Sequence, residues 1–227
     1  MGRVTAATSA SRVPQEERTR AMRARLLEAC VDCLVELGWS GTATTVVSQR
    51  AGVSRGAQLH HFPTKADLVL AAVEHLSDVR GAELAAAAAN LPSGPRRTRA
   101  VLAMLDEHFT GPVFTAALEL WVAARTDPQL HAAVAPLEQR IGREIHRRTV
   151  ELLEVDESQP GVRELVQATL DLVRGLGLAQ TLTDDTTRRR RILDHWASVL
   201  DTHLNPDSSA THSGRDAGPP QTNRGPR

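Results

Sequence analysis

The chain has 227 residues, 41% hydrophobic but only 3% aromatic, with 27 basic and 27 acidic side chains. That length and apolar content suit one or two domains with an aliphatic core, and with no run of about eighteen apolar residues no membrane span is expected. Zero net charge argues against non-specific coating of nucleic acid, and the first twenty residues lack the apolar stretch of a secretory signal, so a cytoplasmic protein is expected. Frequent Ala, Leu, Glu and Arg with little β-branched alternation predict an all-α fold, and the segments taken in order below make about nine helices.

Residues 1–14, rich in Ala, Ser, Thr and Arg, read as a disordered arm. A first helix is expected over 15–37, with Met22, Leu26, Cys30, Cys33 and Leu37 as its apolar stripe. Gly38 is its expected left-handed stop, with Trp39 folding back over the end. Cys30 and Cys33 form a C-x-x-C in mid-helix, where no helix N-terminus lowers a thiol pKa. Buried small apolar residues are the plain reading of the pair, and a thiol sensor is the alternative. Thr42 reads as the N-cap of a helix over 43–51 with Val46, Val47 and Ala51 inward, and Gly52 ends that helix while Val53 plugs the turn. Ser54 caps a second short helix over 54–61, which is too short to persist in water and needs support from behind, expected from Leu59 and Phe62. This is the pattern of a helix-turn-helix, whose second helix enters the DNA major groove.

Thr64 and Asp67 read as a capping box for a fourth helix from 65 to about 89, with Leu68, Ala72, His75 or Leu76, and Val79 on its stripe. The segment 91–95 breaks the chain, and 96–109 is helical again with Val101, Leu102, Leu105 and Phe109 inward. Proline-led starts at Pro112 and Pro128 open two further helices, the second carrying Leu130, Val134, Leu137, Ile141 and Ile145. Ser158 to Pro160 opens a helix to about 182, and Asp184 or Asp185 caps a last one ending near 204. Residues 205–227 read as a disordered tail.

The run from Thr42 to Leu68 resembles the DNA-binding domain of the TetR family of bacterial transcription regulators. The matching features are the Ala51–Ser54 turn, Gly56, His61 with Phe62, and Lys65 followed by Asp67 and Leu68; the resemblance covers roughly 16–75. Family members usually carry an aliphatic residue and then a phosphate-binding tyrosine where this chain has Gln58 and Leu59. This chain has no tyrosine, so Leu59 is expected to support the core while His60 or His61 takes the phosphate. The resemblance implies a homodimer that binds a palindromic operator on double-stranded DNA, usually as a repressor released by a small-molecule effector, and so associated with the nucleoid when bound. It divides the chain into a DNA-binding domain over 15–64 and an effector-binding and dimerisation domain over 65–204. The alternative is a DNA-binding regulator whose second domain binds a partner protein and senses no small molecule.

Charge distribution agrees with a DNA partner: residues 1–65 carry nine Lys/Arg against five Asp/Glu, and the other 162 carry eighteen against twenty-two. Arg55, Gly56, Ala57, His60 and His61 are expected to face DNA, with Arg55 on a guanine or phosphate and Ala57 on a thymine methyl. Thr44 and Thr45, Ser54 and Lys65 complete the candidate interface; Lys65 is the only lysine and reads as a phosphate contact or an ordinary solvated side chain. Arg18, Arg20, Arg23 and Arg25 add basic field or form a solvated face. Met104, Leu105, His108, Phe109, Phe114, Leu118 and Trp121, with Leu172 and Leu176, are the candidate lining of a pocket for an apolar or aromatic effector; core packing is the competing reading.

Val162, Leu165, Val166, Thr169 and Val173 on one helix and Ile192, Trp196, Val199 and Leu200 on the next are the expected dimer surface. Gly175 and Gly177 fit a close helix approach in that dimer or a bend beside the pocket, and Arg188 to Arg191 read as a solvated run. The nine histidines give no helical metal-binding pair, and no nucleophile–base grouping or phosphate loop stands out. Neither a metal, a cofactor nor an enzyme activity is expected.

Overall fold

A computed structural model describes residues 15–204, among which there are nine helices and no strand. The expected arm and tail lie outside the described residues. The helices are α1 (Gln15–Gly41), α2 (Thr44–Ala51), α3 (Arg55–His61), α4 (Lys65–Ala88), α5 (Pro95–Thr110), α6 (Pro112–Ala124), α7 (Pro128–Leu153), α8 (Val162–Gln180) and α9 (Thr186–Leu204). No described helix is long and apolar enough to cross a membrane.

Packing divides the chain into two compact units that do not follow the expected boundary at 64/65. One holds the described residues up to Gly81 together with Gly111–Ile141; the other holds Ala82–Thr110 and the described residues from Gly142 onward. In the first, α1 packs on α2 and α6 around Leu26, Leu34, Val47, Leu68, Val69 and Leu120, all at most 1% exposed. Cys30 and Cys33 belong to this core as free thiols. Burial pushes the Cys30 thiol up to about 12 and raises that of Cys33 as well, the opposite of what a thiol sensor needs. Leu37, expected on the same stripe, is 46% exposed, because α1 changes direction at Gly38 (φ 66, ψ −178) and the stripe ends there. That conformation is not the left-handed helical stop expected, and one more turn carries α1 to Gly41.

Thr42 is not a cap. Its hydroxyl turns back to donate to the Gly38 carbonyl (2.8 Å), and α2 begins after Ala43, which offers no side-chain cap. Thr64 and Asp67 do form the expected box: the Thr64 N–H donates to the Asp67 carboxylate and the Asp67 N–H to the Thr64 hydroxyl, each at 3.1 Å.

The second unit packs α5 against α8 and α9, and α8 against α9. Val101, Leu102, Leu105 and Phe109 are buried as the spacing predicts. The residues Ser158 to Pro160 form a turn around Asp156 rather than a helix start, and α8 opens after Gly161. Of the two expected caps Asp184 is the one used, accepting from the Thr186 N–H (3.1 Å), while the Asp185 carboxylate pairs with Arg188 (2.7 Å) and Arg189 (3.0 Å). A Cβ on Gly177 would lie 2.1 Å from the Phe109 carbonyl oxygen. The close approach that Gly177 permits is therefore between α5 and α8 of one chain, not across a dimer.

Arg189 corrects the reading of a solvated arginine run. It is 5% exposed, and its guanidinium pairs with Asp106 (2.7 Å) and Asp185 (3.0 Å) and donates to the Gln180 side chain (2.5 Å). The signal was present in its spacing: Arg189, Leu193, Ala197 and Leu200 form one buried stripe.

Candidate nucleic-acid interface

Three short-range devices fix the α2–turn–α3 hairpin. Gly52 (φ 64, ψ 37) ends α2 in the left-handed region with its N–H on the Gln49 carbonyl, and the Val53 N–H donates to the Ser48 carbonyl (3.0 Å). Half-buried Val53 packs against the first unit's core. The Ser54 hydroxyl then accepts from the Ala57 N–H (3.3 Å), capping α3 as its sequence predicts.

The register of α3 differs from expectation at its centre. Gln58 is fully buried, and Leu59 is 40% exposed. Measured from the Ser54 cap, helical spacing turns Ala57, Gln58, His61 and Phe62 inward and leaves Arg55, Gly56, Leu59 and His60 outside. Ranking leucine above glutamine for the core fails here because the end of the helix needs a donor. The Gln58 amide supplies one to the Phe62 carbonyl, at 2.6 Å. Support from behind comes from Gln58 and Phe62, and Leu59 joins the outward face.

Gly56 is exposed, does not have a positive φ, and a Cβ built on it meets nothing within 4 Å. Neither the backbone nor packing within the chain requires a glycine there, although glycine costs about 1 kcal/mol in a helix interior. His60 is exposed, and its ring stands edge-on to that of half-buried His61, centroids 5.2 Å apart. The Arg23 guanidinium lies 4.7 Å over the Phe62 ring, which brings one of the four α1 arginines beside the end of α3. Arg50 is committed instead to Glu36, and their hydrogen bond raises the arginine pKa and lowers that of the carboxyl. At the start of α2, Thr45 is exposed, while half-buried Thr44 accepts the Ser48 hydroxyl on its carbonyl (2.8 Å).

Lys65 sits half-buried, with its ammonium 4.0 Å over the Trp39 ring and donating to the Trp39 carbonyl; desolvation lowers its pKa. Neither the solvated lysine nor the outward phosphate contact describes this position. The Trp39 N–H is in turn held by the Glu119 carboxylate of α6 (2.8 Å). An open cleft of about 580 Å³ lies beside this contact, lined by Leu37, Trp39, Glu119, Val122, Arg125 and their neighbours.

None of the expected effector-pocket residues lines that cleft. They fall in different units. Leu105, Phe109 and Leu176 are buried and Met104, His108 and Leu172 half-buried in the second unit, whereas Phe114, Leu118 and Trp121 belong to α6 in the first. There the Phe114 and Trp121 rings meet edge-on, centroids 5.9 Å apart. Of the expected dimer surface, Val166, Thr169, Val173 and Leu200 are fully buried in the single chain and cannot be contact surface. Val162, Leu165, Ile192, Trp196 and Val199 are half-buried, and Trp196 donates its indole N–H to the Thr169 hydroxyl (2.9 Å). Sequence spacing missed Leu178 and Leu182, which are 54% and 89% exposed near the end of α8.

Residues 26–72 match the family model described as bacterial regulatory proteins, tetR family. A transcriptional regulator of Pseudomonas putida, CymR, is 31% identical over 190 residues, covering 81% of this chain and 91% of that one. Among solved structures, a TetR-family regulator from Streptomyces coelicolor superposes with a TM-score of 0.63 at 24% identity, over 82% of this chain and 96% of that one. A transcriptional regulator from Saccharomonospora viridis, solved in complex with choline, gives 0.60 at 19%, over 84% and 98%. The matched segment spans the hairpin whose outward face carries Arg55, Gly56, Leu59 and His60, and the chain belongs to the TetR family of DNA-binding helix-turn-helix transcription regulators, which are not enzymes.

Proposed function

We propose that the chain is a homodimeric repressor that grips a palindromic operator through two copies of α3 and is released from it by a small molecule. The observation that carries this reading is the outward face of α3, where a guanidinium, a bare backbone at Gly56, Leu59 and an imidazole stand together. One seven-residue helix offers too little contact for specific binding at physiological salt, and two copies related by a two-fold axis supply the rest. Arg55 is the base or phosphate contact, with His60 and Ser54 beside it, Thr44 and Thr45 toward the phosphates, and half-buried Ala57 and His61 behind the outward face. Lys65 acts by fixing Trp39 at the end of α1, and reaches a phosphate only by leaving it.

The self-complementary surface lies on α8 and α9, built from Val162, Leu165, Ile192, Trp196 and Val199 with Leu178 and Leu182. The choline-bound regulator of the same fold supports a small-molecule effector. Half-buried Met104, His108 and Leu172, on the packed pair α5 and α8, are its candidate contacts, with Leu105, Phe109 and Leu176 as core residues beside them. Chromosomal binding-site mapping with the full chain tests the proposal. The expected result is an inverted repeat bound by two chains, from which at least one compound that raises the thermal midpoint also releases the protein. A bound direct or single site would remove the two-fold reading. Stabilisation by a partner protein alone would replace the effector.

A further inference from the structure

We propose that Leu59 reads sequence, by packing on the C5-methyl of a thymine in each half-site. This rests on the DNA-reading role of α3 and goes beyond it, because it assigns one base to one side chain. Leu59 is 40% exposed on a helix that turns its glutamine inward. It stands on the same outward face as Arg55 and His60. One turn earlier Gly56 leaves open space beside it, where residues three apart are neighbours. The gap admits a base pair up to the helix backbone and brings the leucine methyls to its edge.

A leucine side chain has no hydrogen to donate and no lone pair, so it can hold neither a phosphate nor a base nitrogen. The one apolar feature on a major-groove base edge is the thymine methyl. Covering a group of that size in apolar contact changes affinity by about fourfold.

The test uses the full chain and a duplex selected by it from a random pool. Each thymine is replaced in turn by deoxyuridine, which removes the methyl and leaves every hydrogen-bonding group in place. One thymine per half-site is expected to lose about fourfold in affinity on this exchange. In Leu59→Ala that ratio falls to about one, while other positions keep theirs. An Ala57→Gly variant is the control, since Ala57 is the other small apolar group on α3. Loss of the ratio in Ala57→Gly instead, an unchanged ratio in Leu59→Ala, or indifference of the native protein to every replacement would each overturn the assignment. Leu59→Tyr should bind random and selected duplexes more evenly, and a retained thymine preference in it would also count against the proposal. A native protein that selects no sequence would instead overturn the DNA-reading role itself.

Discussion

In the first packing unit the buried polar side chains Thr42, Ser48 and Gln58 bond locally, and the Gln58 Oε1 is left without a partner. Thr42 donates to Gly38, Ser48 to Thr44 and Gln58 to Phe62, each four residues away; over longer range the aliphatic core is joined by Glu119 on the Trp39 N–H and by Arg140 paired with Glu74 (2.6 Å). In the second unit polar groups reach across the chain: Thr98 donates to Asp201 (2.5 Å), Arg189 pairs with Asp106, Arg99 with Asp194 (2.8 Å), and Trp196 donates to Thr169. Apolar contact is non-directional and tolerant of salt, whereas paired charges fix one geometry and answer to ionic conditions. The buried interior of the unit that carries the DNA-reading hairpin is thus chiefly aliphatic, whereas the second unit buries a paired arginine, Arg189, beside its aliphatic core.

The largest test of this contrast is Leu34→Ala in the first core, where a fully buried leucine leaves a cavity. A loss of about 2–5 kcal/mol is expected in urea unfolding, nearly the same at low and high salt. Arg189→Ala should cost about 3 kcal/mol, the low end for breaking a buried pair, because Asp106 and Asp185 keep some solvent contact. Replacing Arg189 with Met and Asp106 with Leu together should recover much of that loss. A double variant no better than the single one would show that packing around the guanidinium, rather than its charge, holds α9 to α5.

Gly177→Ala drives a methyl into the Phe109 carbonyl and is expected to cost about 1–3 kcal/mol, against a small gain for Gly175→Ala, whose Cβ meets nothing. Equal effects at the two glycines would place the close α5–α8 contact elsewhere.

These residues also show what the sequence made legible. Local chemistry was readable: the Ser54 cap, the Gly52 turn, the Thr64–Asp67 box and the periodic cores of α5 and α7 stand where spacing puts them. Three features ran against residue-type ranking. Gln58 went inside because the helix end needed a donor, Arg189 because the Asp106 carboxylate of α5 and the Asp185 carboxylate at the start of its own helix meet it, and Thr42 turned backward to add its hydroxyl to the Gly38 carbonyl, which its own N–H also reaches. Of these partners only Asp106 has a position that the fold alone supplies; those of Thr42 and Gln58 lie four residues away. The spacing of Arg189 and of Gln58 was nonetheless visible, and trusting period over polarity would have placed both. Four residues of the expected dimer surface, Val166, Thr169, Val173 and Leu200, are buried by their own chain: an amphipathic stripe shows which residues are buried but not whether its own chain or a second copy buries them.

The smallest predicted effect concerns acid. Hydrogen bonds from Arg147 and then Arg148 hold the Glu144 carboxyl down, from 4.5 to about 2. A depressed folded value contributes stability that is complete above about 4.5 and lost as pH falls toward about 2. The thermal midpoint should therefore fall across that window, and Glu144→Gln, which lacks the carboxylate at every pH, should flatten part of the slope by lowering the neutral-pH midpoint slightly while leaving the midpoint near about pH 2 unchanged. An identical slope in the variant would assign the acid sensitivity to other carboxylates.

The most direct test of the DNA-reading face of α3 is Gly56→Ala, measured in parallel by urea unfolding and by affinity for the selected duplex. With open space over Gly56 and no positive φ to strain, the added methyl should leave stability unchanged or raise it by up to about 1 kcal/mol. The same methyl stands where the base pairs must approach, so specific affinity should fall at least tenfold. Opposite signs in the two measurements are the expected result. Undiminished affinity would contradict the assignment of this face to DNA.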